Sequence, residues 1–282
     1  ATSRGWQIRQ KLRAPDTYLV SMPNPDLDGV PSAVQAFSAE SNLIAYAEPD
    51  FITESLAAVP NDYMFQELWG LHNTGGVGRV AGADVHAPEA WDFSVGSTNV
   101  LVAVLDTGVA YDHEDLAANI WMNPGEAGPL ATNAVDDDGN GYTNDFRGWD
   151  FYNDDNDPLD DDKHGTHTAG IIGAVGNNSV GVAGVCRRAS IVGLKILGAF
   201  GNLNGGTVSD VIDAIYYGIS LRAKVMSNSW GVDSYSLALF DAIESANTNG
   251  ILFVAAAGNN GTDNDETPHY PACYTNANIV SV

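Results

Sequence analysis

Positive charge, cysteine and long apolar runs are all scarce in this chain. Only 12 Lys and Arg stand against 36 Asp and Glu in 282 residues, a formal net charge of −24. Such a balance repels phosphate backbones and anionic lipid surfaces, which excludes nucleic acid and membrane as partners and makes cations the expected small ones. The two cysteines, Cys186 and Cys273, allow one disulfide or two thiols. Neither belongs to a Cys-x-x-Cys or Cys/His cluster, and so few cysteines say little about compartment. No stretch has the length of a membrane span, and ATSRGWQIRQ at the start has no signal-peptide core. The first residue is Ala rather than Met, and the expectation is a removed targeting segment or a fragment.

A hydrophobic content of 44% with 30 glycines suits a globular core. Residues 1–57 read as a small separate unit: TYLVSM as a strand, VPSAVQAFSAES as a short helix, LIAYAEPDFITE as a second strand. From residue 58 onward, strands and helices alternate. NVLVAVLD is apolar enough for a strand buried on both faces, and ASIVGLKIL, KVMSNS, ILFVAAAG and NIVSV repeat the signal. Between them THTAGIIGAVG reads as a helix of small residues. TVSDVIDAIYYGISLRA reads as a helix with Thr207 or Ser209 near its N-cap, and SYSLALFDAIESANTNG as one closed by Gly250. This rhythm is that of an α/β domain, a parallel sheet with helices on both faces. Residues 133–162 are dominated by Asp and Asn with Gly and Pro, and are expected to be loop.

In open parallel sheets, functional groups gather at the carboxyl ends of strands. Asp106 ends VLVAVLD, and Asn259 follows ILFVAAAG. His164 and His167 open a helix in KHGTHTAG, where the helix N-terminus favours a neutral imidazole that acts as a general base. An Asp-nucleophile phosphatase would place a second Asp two residues after the first, where this chain has Gly108. A zinc hydrolase built on His164 and His167 lacks the His-Glu-x-x-His pattern, and the nearby carboxylates suit hard cations better. Singly, each residue also has a structural reading, as a strand-end cap or a hydrogen-bonded histidine.

Together, VAVLDTGV around Asp106, HGTHTAGIIGA around His164 and FVAAAGNNG around Asn259 resemble, in order, the motifs of the subtilisin-like serine peptidases. The flanks PNDYMFQELWGLHN, DHEDL, MSNSWG and YPACY agree, and the resemblance runs from about residue 59 to the end. It implies a three-layer fold with a central parallel sheet, in which Asp106 supports His164, His164 takes a proton from a serine hydroxyl, and Asn259 donates to the oxyanion. It further implies that Ser229, Trp230 and Gly231 line the substrate cleft, their backbone pairing with an extended peptide. Trp230 has an alternative reading as core.

The family's serine stands in a GTSMA-like motif at a helix start, beyond the AAGN segment, and no Ser of this chain has that context. Ser209, in GGTVSD, precedes a helix upstream of the Asn259 strand and does not qualify. The chain is therefore expected to stop short of the nucleophile and to be inert alone. A serine endopeptidase acting on extended polypeptides is the reading by resemblance. The rival is a calcium-stabilised pseudopeptidase or peptide-binding domain without catalysis.

Calcium is expected at three places. DDDGNGYTND offers Asp136, Asp138, Asn140 and a carbonyl near Tyr142 at alternating spacing, although Arg147 stands where an EF-hand has its last Glu. Asp150, Asn153, Asp155 and Asp157 are similar to a site that thermitase-like members carry before the catalytic His. Asp62, Asp115 and Asn178, with carbonyls of Gly176, Val180 and Val182, resemble the family's strong site, in a loop one residue longer than in subtilisins. The rival is a solvated acidic face. AYAEPDFITE resembles the last strand of the family's propeptide, whose first strand and helix look absent or barely represented. That makes residues 1–57 a partial α+β propeptide, a partner of the catalytic domain, cut from it between about Glu54 and Asn61. A monomer that is secreted or held in the cell envelope or periplasm is expected.

Overall fold

The structure, a computed structural model, describes residues 6–22, 29–40, 43–50, 59–199 and 205–282. The chain divides into two compact units, Ala1–Leu56 and Ala57–Val282.

In the first unit β1 (Gln7–Lys11) and β2 (Tyr18–Ser21) pair antiparallel, with a bulge between Ile8 and Gln10, and α1 spans Gly29–Ser38. Trp6 meets Phe37 of α1 with ring centroids 4.7 Å apart, which joins the helix to the start of the hairpin. TYLVSM and the helix fall where the sequence puts them. Two expectations need correction. A first strand and helix are present, the strand being QIRQK, whose five exposed residues carry no apolar alternation. LIAYAEPDFITE forms no strand over 43–50, and its remainder, like most of the proposed cleavage stretch, lies outside the described residues.

The second unit is a six-stranded parallel sheet in the order β4-β5-β3-β6-β7-β8. Its strands are β3 (Gly96–Asp106), β4 (Gly148–Asp150), β5 (Arg188–Lys195), β6 (Val225–Asn228), β7 (Leu252–Ala255) and β8 (Ile279–Ser281). The short helix α2 (Ala87–Trp91) precedes it, and α3 (His164–Gly173), α4 (Val208–Ser220) and α5 (Leu237–Thr248) connect its strands. The pleat explains the layers: Ala103 and Leu105 of β3 face a core with Ala214 and Ile215 of α4 and Ala242 and Ile243 of α5. Val104, between them, faces a second core with Ala169 of α3 and Ile191 of β5. The small residues of α3 let it lie close, since a side chain at Gly173 would come within 3.1 Å of Ala189 Cβ.

A strand inside the acidic stretch corrects the expectation of continuous loop. β4 is three buried residues, too short for any periodicity to register. α3 begins at His164, two residues earlier than THTAGIIGAVG suggests, and Thr207 rather than Ser209 caps α4. There the Thr207 hydroxyl accepts the Asp210 N–H at 3.3 Å, and the Asp210 carboxylate accepts the Thr207 N–H at 2.7 Å. Both cysteines are free thiols. Replacing Thr207 by Ala is expected to lower stability by about 1 kcal/mol, whereas Thr207→Ser stays near wild type; the urea midpoints of the two variants check this.

Candidate active site and cation-binding loops

Asp106 ends β3 and is 1% exposed. Charge so deeply buried is stable only with donors around it, and three converge here. Nδ1 of His164 lies 2.7 Å from Oδ1, which also accepts the Thr107 N–H at 2.7 Å. Oδ2 accepts the Thr168 hydroxyl at 3.1 Å, whose single proton is shared with the His164 carbonyl 2.7 Å away. The carboxylate holds a proton on Nδ1, which leaves Nε2 as the basic nitrogen of the ring. Because α3 packs on β3 and β5, its first residue reaches the carboxyl edge of the sheet. Gly165 makes the approach possible: a side chain there would collide with the Gly108 carbonyl and lie 3.0 Å from Asp106 Cβ.

Behind this pair, Asp160 joins the turn after β3 to the start of α3. Its carboxylate accepts the Thr107 hydroxyl at 2.9 Å, the Thr166 N–H at 2.9 Å and hydroxyl, and the N–H groups of Asp162 and Lys163 at 3.0 and 3.1 Å. The Thr107 oxygen in turn accepts the Gly165 N–H at 3.0 Å. Burial alone would push the Asp160 carboxyl up, but the donors from Thr166, Asp162 and Thr107 together hold it below its ordinary value. Lys195, 1% exposed and in register with Asp106, donates to the Thr107 carbonyl at 3.1 Å and pairs with Asp161 at 2.6 Å.

Asn259 lies exposed four residues beyond the end of β7, at the same edge as Asp106. Ser229 and Gly231 follow β6, which runs between β3 and β7. Of the two readings of Trp230, its burial fits the core one: two residues past β6, it is 9% exposed and belongs to the main core. Gly231 instead faces His269, whose Nδ1 lies 3.1 Å from Asp233. His167 is exposed, and among the described residues neither it nor His164 joins a group of three metal-ligating side chains.

Of the expected calcium ligands, Asp62, Asp115 and Asn178 come together, and Val180 and Val182 join them through their N–H groups. Asp62 (5% exposed) accepts the N–H groups of Asn177 and Asn178 at 2.9 and 3.2 Å. Asp115 (2% exposed) accepts the Asn178 amide at 2.8 Å and the Val182 N–H at 2.9 Å, while Asn178 Oδ1 accepts the Val180 N–H at 2.8 Å. Two buried carboxylates and an amide oxygen make an all-oxygen donor set, which fits calcium. Asp150 is joined to Asn153 by bonds of 2.9 and 2.8 Å to the N–H and the amide, and burial raises its carboxyl above the ordinary value. Asp155 pairs with Asp150 through the backbone, whereas Asp157 accepts the Tyr111 hydroxyl at 2.8 Å. Desolvation and that bond push the Tyr111 hydroxyl up to about 12. Asp136, Asp138 and Asn140 share one loop, in which the Asn140 N–H reaches both carboxylates at 3.2 and 3.1 Å.

With this geometry in place, the chain can be set beside known proteins. The model of the subtilase family matches residues 97–282. The chain belongs to the subtilase family. The match starts in β3, so it takes in the whole sheet and both Asp106 and His164, and the three-layer α/β architecture is the subtilisin-like one. This subtilase is 34% identical over 239 residues to a thermophilic serine proteinase of Bacillus sp. (strain AK1), covering 84% of this chain and 49% of that one. It is 36% identical to thermitase of Thermoactinomyces vulgaris, covering 70% of this chain and 59% of the other. A solved structure of a protease from Pseudoalteromonas arctica superimposes with a TM-score of 0.57 and 31% identity, covering 79% of this chain and 65% of that one. The subtilase chain thus spans about half the length of the curated relatives it matches.

The sequence does not single out Thr168, Asp160 or Lys195. Thr168 lies one helical turn past His164, Asp160 four residues before it, and Lys195 is a lone cation in an apolar strand; those three spacings are the available signals. The folded value of Asp160 lies below its ordinary 3.8, so its contribution to stability is complete above that pH and is lost as pH falls through the folded value. Asp160→Asn is therefore expected to flatten the acid limb of the stability profile, read from urea melts at a series of pH values below about 4; an unchanged limb would rule this out.

Proposed function

We propose that this chain is the Asp- and His-bearing part of a secreted serine endopeptidase that hydrolyses extended polypeptides. The observation that carries the reading is the 2.7 Å contact of His164 with the buried Asp106 at the carboxyl edge of a subtilase sheet. In this mechanism Asp106 keeps Nδ1 of His164 protonated, so that Nε2 accepts the proton of a serine hydroxyl and returns it to the leaving amine. Asn259 donates to the oxyanion, and the backbone of Ser229–Gly231, one strand away, pairs with the substrate. The Bacillus relative, a serine proteinase by name, and the Pseudoalteromonas arctica protease support this chemistry.

No Ser of residues 1–282 stands in the GTSMA-like context of the family nucleophile, and this segment by itself is proposed to be inert. The same observation favours a second reading, a pseudopeptidase that keeps the fold and binds peptide without cleaving it. A longer chain of this protein separates the two. Under the first reading a serine-directed phosphonate labels it and it cleaves an unstructured polypeptide, while residues 1–282 take no label. Absence of label from the longer chain, with peptide binding retained, would establish the second reading. In a labelling-competent chain, Asn259→Leu is expected to lower kcat by about 10² to 10³, the loss known for the same change of role in subtilisin, with KM little altered.

Calcium is proposed at the Asp62/Asp115/Asn178 loop, and at the acidic loop of Asp136, Asp138 and Asn140. Bound there, the ion would offset buried negative charge and fix the loops. The pair Asp150 and Asn153, with Asp155, is a further candidate. The first unit is proposed to be a propeptide, because its hairpin and helix form a compact body ahead of the matched region, with processing between about Glu54 and Asn61. Export is supported by the halolysin-like extracellular serine protease Nep of Natrialba magadii, 33% identical over 84% of this chain. Among the described residues no helix is long and apolar enough to cross a membrane. A monomer is proposed.

A further inference from the structure

We infer that a cavity between the end of β4 and the outer face of α4 binds an arginine side chain presented by a polypeptide. β4 is the edge strand, two places from β3 and on the side away from β6 and β7. The cavity is therefore separate from Asp106, His164 and Asn259, and its occupation is independent of peptide cleavage.

The cavity, of about 540 Å³, is lined by three aromatic rings, Tyr142, Trp149 and Phe151, and by three carboxylates, Asp154, Asp210 and Asp213. The core fixes the rings: Tyr142 meets Trp149, Phe151 and Tyr217 edge-on, with centroids 5.0, 5.6 and 4.7 Å apart. Trp149 and Phe151 are themselves buried. The carboxylates are held as firmly. Asp210 and Asp213 stand three residues apart on one face of α4, and the Thr207 N–H, 2.7 Å away, orients Asp210. Asp154 belongs to the turn closed by the pairing of Asp150 with Asp155. Burial, and then the neighbouring charges of Asp213, Asp154 and Asp145, push the Tyr142 hydroxyl above its ordinary value.

Among the described residues no Lys, Arg or His pairs with any of the three carboxylates, so negative charge stands uncompensated beside aromatic surface. Trp149 adds a second demand. The residue is 9% exposed, and its buried indole N–H has no acceptor among the described residues. A metal ion meets neither demand. The oxygens of Asp154, Asp210 and Asp213 do not gather within 4.8 Å of one another, which is too wide a spread for one small ion. A guanidinium suits that spread: it is planar and weakly hydrated, lies flat on an aromatic face, and carries five N–H donors for separated carboxylates. The peptide carbonyl of the same arginine offers the acceptor that the indole lacks. An ammonium, compact and strongly hydrated, matches rings and separated carboxylates less well.

The test adds N-acetyl-arginine amide to the full chain in saturating calcium, beside its neutral isostere N-acetyl-citrulline amide and N-acetyl-lysine amide. Binding is read by calorimetry and from the indole N–H resonance of Trp149, assigned by its loss in Trp149→Phe. The arginine amide is expected to shift that resonance and the citrulline amide to leave it in place. Asp213→Asn is expected to raise Kd roughly tenfold or more, through loss of a charged hydrogen bond. Asp241→Asn, on the exposed face of α5, is expected to leave Kd within about twofold. Equal responses to the arginine and citrulline amides, or an unchanged Kd in Asp213→Asn, overturn the site. So does equal weakening in Asp241→Asn, the mark of attraction to the overall negative charge alone, while tighter binding of the lysine amide overturns the guanidinium assignment. Should Asp213→Asn not fold, Asp154→Asn, which suits the left-handed φ of 57° there, is expected to weaken binding likewise. An unchanged Kd in that variant overturns the site equally. Labelling by a serine-directed phosphonate does not depend on these outcomes, so failure of this site and failure of the peptidase reading are separable.

Discussion

The carboxylate of Asp106, sealed from water at the end of a central strand, is the constraint around which the second unit is arranged. A charge in that position needs donors, and they come from two directions: the next residue of its own turn, and the first and fifth residues of α3. The helix can deliver them only if its first turn nearly touches the strand, which is why Gly165 has no room for a side chain. Asp160 and Lys195 then hold the turn after β3 from either side. The geometry of the pair is in this sense a product of burial, and the hydrogen bonds are what burial requires.

Elements whose stabilisation is written in their own residues were legible before folding. The LVAVLD end of β3 is apolar because both its faces are covered, and Asp106 stands out there as the one charge at its end. Features defined by what lies across space were not. β4 has three residues and exists because β5 offers a free edge, QIRQK is a strand without an apolar face, and LIAYAEPD has the apolar content of a strand but no partner among the described residues. Trp230 falls into the same class. Its position after β6 suits a cleft residue, and only the packing of β6 against the core decides that the indole turns inward. Thr168 looks ordinary in sequence, and its importance comes from the carboxylate it meets.

The acidity of the chain is managed in a particular way. Most buried carboxylates are solvated by backbone N–H groups and asparagine amides rather than by lysine or arginine. Asn123, Asn140, Asn153 and Asn178 each donate to an Asp. Amides lower the cost of burying negative charge without bringing a compensating positive one. Asparagine is therefore as much a part of how this chain buries negative charge as the backbone N–H groups are.

Adjacency in the sheet has a consequence for how such a protein changes over time. Asp106, the Ser229–Gly231 segment and Asn259 follow β3, β6 and β7, three neighbouring strands. Strands sit about 4.8 Å apart wherever they pair, so the separation of the three strand ends from which these segments start is a repeat of the backbone and does not depend on loop length. Loops such as the acidic one can lengthen or change composition without changing that spacing. Diversification of the surface and preservation of the spacing at the sheet's carboxyl edge are therefore mechanically uncoupled.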